Sequence, residues 1–143
     1  MVKERSSVIL LLAAILFPVT VFAASWTLPI VKVIDGDTIQ TKIETLPPPL
    51  SNVKIRINGI DTPEKGHLAK CEYEQIMGTT ATKKLIEIVG TSKQMVIKDF
   101  KHDKYGGRYV ADVFVRDINI GERMIELGLA KPYDGGKKGS WCK

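Results

Sequence analysis

The chain has 143 residues, 44% of them hydrophobic, with a formal net charge of +5 and two cysteines. This length indicates one domain, large enough to bury a single core. The cysteines are too few for a four-cysteine zinc site, and the mildly basic charge suits a polyanionic partner such as nucleic acid without establishing one.

The N-terminal segment has the pattern of a secretory signal peptide. Lys3 and Arg5 precede the apolar run "SVILLLAAILFPVTVF", and small residues follow at a cleavage point after Ala23. The alternative is an uncleaved anchor helix, but a membrane span usually needs about 20 apolar residues. We therefore predict a signal peptide over residues 1–23, a mature domain over 24–143, export to the periplasm or beyond, and no membrane attachment after cleavage.

Alternating apolar and polar residues predict strands in the first half of the mature chain. Residues 30–33 and 38–43 flank "DGD" and form a predicted hairpin. The prolines of "ETLPPPLSN" predict a loop. In "VKIRING" the isoleucines and valine alternate with Lys54 and Arg56, which places Arg56 on the polar face of a strand. A long loop, "IDTPEKGHLA", follows.

The second half begins with a change to helical periodicity. One amphipathic helix is predicted from about residue 71 until just before Gly90. Its predicted inner residues are Ile76, Thr80, Ala81, Leu85, Ile88 and Val89. Further strands are predicted at "KQMVIKDFKH" and "YVADVFVRD", with the turn "DKYGGRY" between them. A short helix then ends at Gly128, and the tail "GGKKG" is predicted to be solvated.

This order of elements predicts an α+β, mainly β, fold. Three strands, a helix, two strands and a helix suit a five-stranded Greek-key β-barrel of the OB type with flanking helices. Regular βαβ alternation, which would indicate a parallel sheet, is absent from the pattern. The predicted core consists of Ile30, Val33, Ile39, Ile55, Ile57, Val96, Val113 and Val115.

Three carboxylates stand at or just after predicted strand ends: Asp37, Asp61 and Glu64. Taken singly, each is a common turn residue. Brought together, they would repel one another unless a cation joined them. Oxygen ligands without histidine or cysteine favour calcium or magnesium, and the carbonyl of Thr62 could complete the set.

Two arginines add a second feature to this acidic set. Arg56 lies a few residues before Asp61, and Arg108 follows "KYGG". Two fixed guanidinium groups beside a metal and carboxylates would hold a phosphodiester and stabilise the charge that grows on its oxygens. Glu64 is then the candidate for deprotonating the attacking water.

Four motifs together resemble a known family. "VIDGDTI", "IRINGIDTPE", "DKYGGRYVADV" and "ELGLAKPY" resemble the staphylococcal nuclease (thermonuclease) family in order and spacing, from about residue 31 to 133. The first motif alone is weak evidence, whereas all four in order are very specific. The resemblance implies an OB barrel with flanking helices and calcium-dependent hydrolysis of DNA and RNA that leaves 3′-phosphates.

The resemblance also implies a role for individual residues. Asp37 and Asp61 would bind Ca²⁺ together with the carbonyl of Thr62, and Glu64 would activate water. The arginines that bind phosphate would be Arg56 and Arg108. Tyr105 and Tyr133 would line the nucleotide pocket, and the match at Tyr133 requires a one-residue gap.

The chain departs from the family prototype in two places. Gly106 and Gly107 stand where the prototype has one glycine before the second arginine. The chain also ends soon after Tyr133, where the prototype has a further helix. Because an exported protein meets an oxidising compartment, we predict a disulfide between Cys71 and Cys142, and we hypothesise that it replaces this helix as the clamp on the C-terminus.

Two other functions remain open on the sequence alone. A non-catalytic OB module that binds single-stranded nucleic acid would need stacking aromatics, yet the chain is 7% aromatic and its tyrosines are not expected to form a strand-borne platform. An exported structural or adhesion domain leaves the polar set unexplained. We expect a monomer, with His67 and His102 as solvated loop residues.

Overall fold

The computed structural model describes residues 24–143, so the predicted signal peptide lies outside the described residues. The strands are β1 (Ser25–Pro29), β2 (Lys32–Asp35), β3 (Thr38–Lys42), β4 (Asn52–Ile57), β5 (Ile60–Asp61), β6 (Gln94–His102), β7 (Arg108–Val115), β8 (Ile118–Asn119) and β9 (Lys131–Pro132). The helices are α1 (Glu72–Val89), α2 (Ile120–Glu126) and a 3₁₀ helix, Gly66–Leu68. None of the helices in this part of the chain is long and apolar enough to cross a membrane.

Seven of these strands form one mixed sheet. Its order is β1-β6-β7-β4-β3-β2, with β8 paired to β7, while β5 and β9 pair separately. The neighbours are antiparallel except β4 and β7, which run parallel. The edge strands β1 and β2 are consecutive in the chain, and Thr41 Oγ1 donates to the Pro29 carbonyl at 2.7 Å, so the sheet curls back toward its first strand. This mainly β arrangement with two helices agrees with the predicted OB class.

The strand pattern of the sequence places most of the core correctly. Val53, Ile55 and Ile57 on β4 are buried, as their alternation predicts. On β6 the predicted face is wrong: Met95 and Ile97 are buried, whereas Val96 is only half-buried. The cause is that "MVI" is apolar on both faces of the strand, so alternation does not determine which face is inside.

Helix α1 ends before Gly90 as predicted, but its buried face is rotated from the predicted one. Gly78, Thr82 and Leu85 face the core together with Ala81 and Val89, whereas the predicted core residue Ile76 is 57% exposed. Helix packing here depends on small residues, because a Cβ at Gly78 would lie 2.2 Å from the carbonyl oxygen of Glu64. The spacing of apolar residues along the helix does not identify such small residues as buried.

Two glycines allow the segments that carry the candidate site residues to pack closely against each other. Gly36, in the β2–β3 turn, packs so closely that a Cβ there would lie 2.9 Å from both Ala81 Cβ and Thr62 Oγ1. Gly78 likewise admits the loop after β5 against α1. The β2–β3 turn, that loop and α1 therefore form one packed unit, with Asp37 and Glu64 at its surface on the cavity side.

The two cysteines are joined, as predicted. Cys71 at the start of α1 and Cys142 near the C-terminus form a disulfide with their Cα atoms 6.0 Å apart. The bridge ties the C-terminal tail, residues 133–143, to the helix beside the acidic loop. The predicted long loop between residues 60 and 69 contains two short elements, β5 and the 3₁₀ helix, because β9 in the returning chain pairs with β5.

Candidate functional site

A cavity of about 550 Å³ opens where the β2–β3 turn, the loops around β5, the β6–β7 turn and the C-terminal tail meet. It is lined by seven of the eight residues predicted from the sequence: Asp37, Arg56, Thr62, Glu64, Tyr105, Arg108 and Tyr133. The eighth, Asp61, lines two adjoining depressions. The fold thus gathers residues from distant parts of the chain at one place.

Arg56 lies at the centre of this site. It pairs with Thr38 across the β3–β4 ladder, next to the turn that carries Asp37. Its Nη2 donates to Asp37 Oδ2 at 3.2 Å and to the Ile60 carbonyl at 3.1 Å. Although Arg56 was predicted on the polar face of its strand, it is only 8% exposed. All of these contacts use Nη2, and among residues 24–143 no acceptor is found for Nε or Nη1.

Asp37 is buried, and burial dominates its ionisation. Removal from water raises its pKa to about 6, although the Arg56 guanidinium and the Thr38 hydroxyl both favour the charged form. Thr38 Oγ1 donates to Oδ1 at 2.9 Å. The Asp37 carboxylate is therefore held in place, but its neighbours do not offset the full cost of removing its negative charge from water. A cation nearby would lower that cost.

Asp61 has an unsatisfied oxygen. Its Oδ2 accepts from Trp141 Nε1 at 3.1 Å, while Oδ1 lies 3.8 Å from Arg56 Nη2 and 2.7 Å from Lys138 Nζ. The Lys138 contact is an ion pair by distance, but its angles do not make a hydrogen bond, so Oδ1 is a buried oxygen without one. An oxygen in this state suits a cation that accepts any approach direction.

Glu64 is positioned by a buried neighbour on α1. Glu74 accepts hydrogen bonds from the backbone N–H of Glu64 (3.3 Å) and of Lys70 (2.8 Å), which fixes both ends of the loop between them. The Glu64 side chain is 38% exposed, and its Oε1 lies 3.4 Å from Lys138 Nζ. It therefore combines a fixed backbone with access to water.

The calcium ion that the resemblance implies would need oxygen donors close to one another. Asp37 and Asp61 both contact the same nitrogen of Arg56, and Thr62 is buried beside them. The available donors are oxygens, which hard cations prefer, and Asp61 Oδ1 lacks a hydrogen bond. No group of three or more acidic, histidine or cysteine residues within 24–143 is close enough to form a ready-made metal cluster. The oxygens of Asp37 and Asp61 are thus of the kind that a hard cation prefers.

The β6–β7 turn carries the second arginine to the opposite wall. Arg108 begins β7 and pairs with Lys54 in the parallel β4–β7 ladder. Its Nε contacts Asp103 Oδ2, and its guanidinium lies 5.4 Å from the ring centre of Tyr105. The additional glycine is accommodated because Gly107 adopts a φ of 80° within an open turn, so Arg108 still lines the cavity.

The pairing with Arg108 changes the ionisation of Asp103. Partial burial tends to raise the pKa of this carboxyl, but the hydrogen bond and charge of Arg108 outweigh it and lower the pKa. Asp103 is therefore a charged anchor for the arginine across the pH range where proteins are usually studied.

Tyr133 forms the floor between the two arginines and the tail. Its backbone N–H donates to the Gly59 carbonyl at 2.8 Å, next to the β5–β9 pairing. Its hydroxyl donates to the Gly136 carbonyl at 2.8 Å, and the Arg56 guanidinium lies 5.4 Å from its ring centre. The one-residue gap in the motif thus leaves the ring beside the first arginine.

The sequence prediction missed three residues of this site: Glu74, Lys138 and Trp141. Glu74 occupies a helical position that periodicity assigns to solvent. Lys138 belongs to the tail predicted to be solvated, and Trp141 was expected only to cover apolar surface. One signal could have located the last two, because Cys142 immediately follows Trp141 and its partner Cys71 lies close in sequence to the acidic loop.

A row of aromatic side chains extends from the cavity across three strands. His102 lines the cavity and packs against Tyr109 with ring centres 4.6 Å apart, and Tyr109 contacts Phe100 at 5.9 Å. Phe100 contacts Trp26 on β1 at 4.7 Å. The expectation that tyrosines would not join a strand-borne aromatic group is therefore wrong for Tyr109, and His102 ends a strand rather than lying in a loop.

Comparison with known proteins agrees with the predicted family and fold. The family described as staphylococcal nuclease homologue matches residues 54–140. A protein named "Uncharacterized endonuclease" from Escherichia coli O157:H7, and one of the same name from Escherichia coli, are each 29% identical over 125 residues, covering 82% of this chain and 72% of theirs. "Protein ParB" of Escherichia coli is 28% identical over 143 residues, covering 92% of this chain and 72% of its own. With a family match over more than half of its length, the chain belongs to the staphylococcal nuclease family.

Proposed function

We propose that this protein is a calcium-dependent endonuclease that hydrolyses phosphodiester bonds of DNA and RNA and leaves 3′-phosphates. The observation that carries the proposal is the position of Arg56, buried against Asp37 and Asp61, with Glu64 and Arg108 lining the same cavity. Membership of a nuclease family and endonuclease-named relatives support the reaction class.

Asp37, Asp61 and the Thr62 carbonyl would hold the ion, which would supply a fixed positive charge beside the phosphate. Arg56 offers Nε and Nη1 from a rigid strand, and Arg108 offers its guanidinium from the facing turn. Oriented donors of this kind stabilise the charge that develops on phosphoryl oxygens during in-line attack. Tyr105 and Tyr133 would contact the nucleoside on either side of the bond.

Glu64 would remove the proton from the attacking water. The new bond joins the water oxygen to phosphorus, and the bond from phosphorus to O5′ breaks. The products are a 3′-phosphate and a 5′-hydroxyl, whose oxygen takes up a proton as it leaves. The partial exposure of Glu64 supports this role, because the carboxylate can contact water while its backbone is fixed by Glu74.

The test is an assay of acid-soluble release from denatured DNA and from RNA, with calcium and then with chelator. Glu64→Gln should lower turnover by about 10²-fold or more with little change in stability, and Asp37→Ala should abolish the calcium response. Glu44→Gln, an exposed loop residue outside the cavity, is the matched control. Magnesium should substitute poorly, because it demands a tighter octahedral geometry.

Phosphatase-labile 3′ ends on the products would agree with the proposed bond cleavage, and 5′-phosphate products would contradict it.

The aromatic row favours a second candidate, a module that binds single-stranded nucleic acid without cleaving it. Trp26 and Phe100 are each 44% exposed and lead toward the cavity through Tyr109, and exposed aromatic rings can stack on bases. Intact fold and DNA binding, with no release of acid-soluble product, would support this candidate and contradict the first.

Export remains part of the proposal. A disulfide suits an oxidising compartment, and the sequence pattern before Ala24 favours cleavage of a signal peptide. The mass of the chain recovered from the periplasm or medium would check it: a mature chain that starts at Ala24 is expected, and an intact N-terminus would contradict the prediction. Size-exclusion chromatography of the same sample would test the expected monomer.

A further inference from the structure

The C-terminal tail crosses the mouth of the site instead of extending into solvent. Cys142 is bonded to Cys71, Lys131 Nζ donates to the Ser140 carbonyl at 2.9 Å, and Lys104 Nζ donates to the Gly135 carbonyl at 3.0 Å. The tail is therefore held at its end by a covalent bond and along its length by lysines from the body of the protein.

This tail supplies partners to both oxygens of Asp61. Lys138 Nζ lies 2.7 Å from Oδ1 and 3.4 Å from Glu64 Oε1, while Trp141 Nε1 donates to Oδ2 at 3.1 Å. The ammonium thus stands between two carboxylates that are otherwise short of positive charge, since Arg56 is the other cation paired with Asp61 in residues 24–143. Although partial burial alone would lower the pKa of Lys138, its pairing with Asp61 raises it.

A divalent cation bound to Asp61 could not share that oxygen with the ammonium. Two positive charges on one carboxylate oxygen repel each other, so binding of the ion requires Lys138 to move. The side chain can move because it is 39% exposed, has a flexible stem and follows Gly135 and Gly136. Its ammonium also lies 5.9 Å from the Tyr133 ring centre, which gives it a second contact on the cavity rim.

We propose that Lys138 is a further functional residue of this site, an internal competitor that takes the place of a divalent cation at Asp61 and Glu64, and that the Cys71–Cys142 bridge holds it there. The affinity for calcium is then determined by the tail as well as by the ligands. This inference rests on the calcium site of the proposed function, and it adds a dependence of cation binding on the disulfide.

The test is calorimetric titration of calcium into the oxidised protein without substrate. Lys138→Met should tighten calcium binding by roughly 10-fold, because it removes the opposing charge and keeps the length of the side chain. Lys137→Met is the matched control, since it removes the same charge from the neighbouring exposed residue, which has no ion pair within 24–143. The control should stay within about twofold of the unmodified protein.

The disulfide is tested by the same titration on Cys71→Ser/Cys142→Ser, with the fold checked by circular dichroism. We expect a gain in calcium affinity similar to that of Lys138→Met, and no additional gain when the changes are combined, because they act through one contact. A folded disulfide-free protein with unchanged affinity would overturn the role of the bridge.

The outcomes separate this inference from the proposed function. Equal calcium affinity in Lys138→Met and Lys137→Met, in a protein that cleaves DNA, would overturn the inference and leave the nuclease standing. Tighter binding in Lys138→Met, in a protein that cleaves neither DNA nor RNA, would support the inference and contradict the nuclease. Absence of calcium binding in every variant would overturn the inference.

Discussion

Two arginine–aspartate pairs line the same cavity, and they differ in the burial of the arginine. Arg56 on β4 and Asp37 in the β2–β3 turn are nearly inaccessible to water. In the β6–β7 turn Asp103 is as buried as Asp37, but the Arg108 side chain is 25% exposed. The aspartate pKa is raised to about 6 in the first pair and lowered in the second. In the buried pair the loss of hydration exceeds the attraction, while in the turn the attraction exceeds it. The same two residue types therefore form a pair with a poorly compensated carboxylate on one side of the cavity and a pair with a well-compensated carboxylate on the other.

Removal of Arg56, the arginine of the first pair, should have the largest effect on turnover and on the free energy of unfolding. Arg56→Ala takes away a transition-state donor and also leaves Asp37 and Asp61 without their shared partner. We expect turnover to fall by at least about 10²-fold and the free energy of unfolding to fall by about 3 kcal/mol. Initial rates and urea unfolding in chelator measure the two effects separately. A variant as stable as the unmodified protein would show that the buried carboxylates do not need this cation.

The pair in the β6–β7 turn should separate activity from stability. Arg108→Ala is expected to lower turnover by about 10²-fold, because it removes the second donor, but to change the free energy of unfolding by less than about 1 kcal/mol. The same two measurements apply, and Arg116→Ala, in the exposed turn after the opposite end of β7, is a control for activity outside the cavity. Full activity of Arg108→Ala would mean that the additional glycine has removed this arginine from the reaction.

The contrast between the walls also explains what the sequence could predict. Alternation of apolar and polar residues, together with turn chemistry, predicted Asp37, Arg56 and Asp61 as one group. It did not predict that they are buried. Burial of Arg56 depends on the carbonyl of Ile60, four residues along the chain, and on Tyr133, which only the returning chain brings to it. Local periodicity contains no information about such a contact.

The tail and helix α1 show where sequence patterns fail for a different reason. Lys138 and Trp141 lie in a glycine- and lysine-rich segment without periodicity, and the disulfide of Cys142, with the tertiary contacts of the tail, determines where they go. The buried face of α1 is set by Gly78, which admits the Glu64 loop, and an apolar pattern does not register the absence of a side chain. In both cases the position is decided by a tertiary constraint.

The raised pKa of Asp37 gives the buried pair a characteristic pH dependence. Because the folded pKa of about 6 exceeds the unfolded value, the folded state binds this proton more tightly, and the resulting stability is complete below pH ~4 and lost as pH rises through 6. In chelator, the contribution of Asp37 should make the protein about 1 kcal/mol more stable at pH 5 than at pH 7.5. Asp37→Asn should remove that part of the difference in urea unfolding. An identical pH difference in both proteins would contradict the expected role of burial.

The pair in the β6–β7 turn should respond to pH in the opposite direction and by less. Since the folded pKa of Asp103 is lowered, its contribution is present above the unfolded value near ~3.9 and is lost as pH falls through the folded value. We expect Asp103→Asn to remove less than about 1 kcal/mol at pH 6 and progressively less as the pH falls below the unfolded value, as for an ion pair whose arginine is partly solvated. Its larger effect should be kinetic, because Asp103 holds the Arg108 guanidinium above Tyr105. A several-fold rise in KM at pH 7 with little change in kcat would agree with a positioning role for Asp103. A loss in kcat as large as that of Arg108→Ala would contradict a role limited to binding.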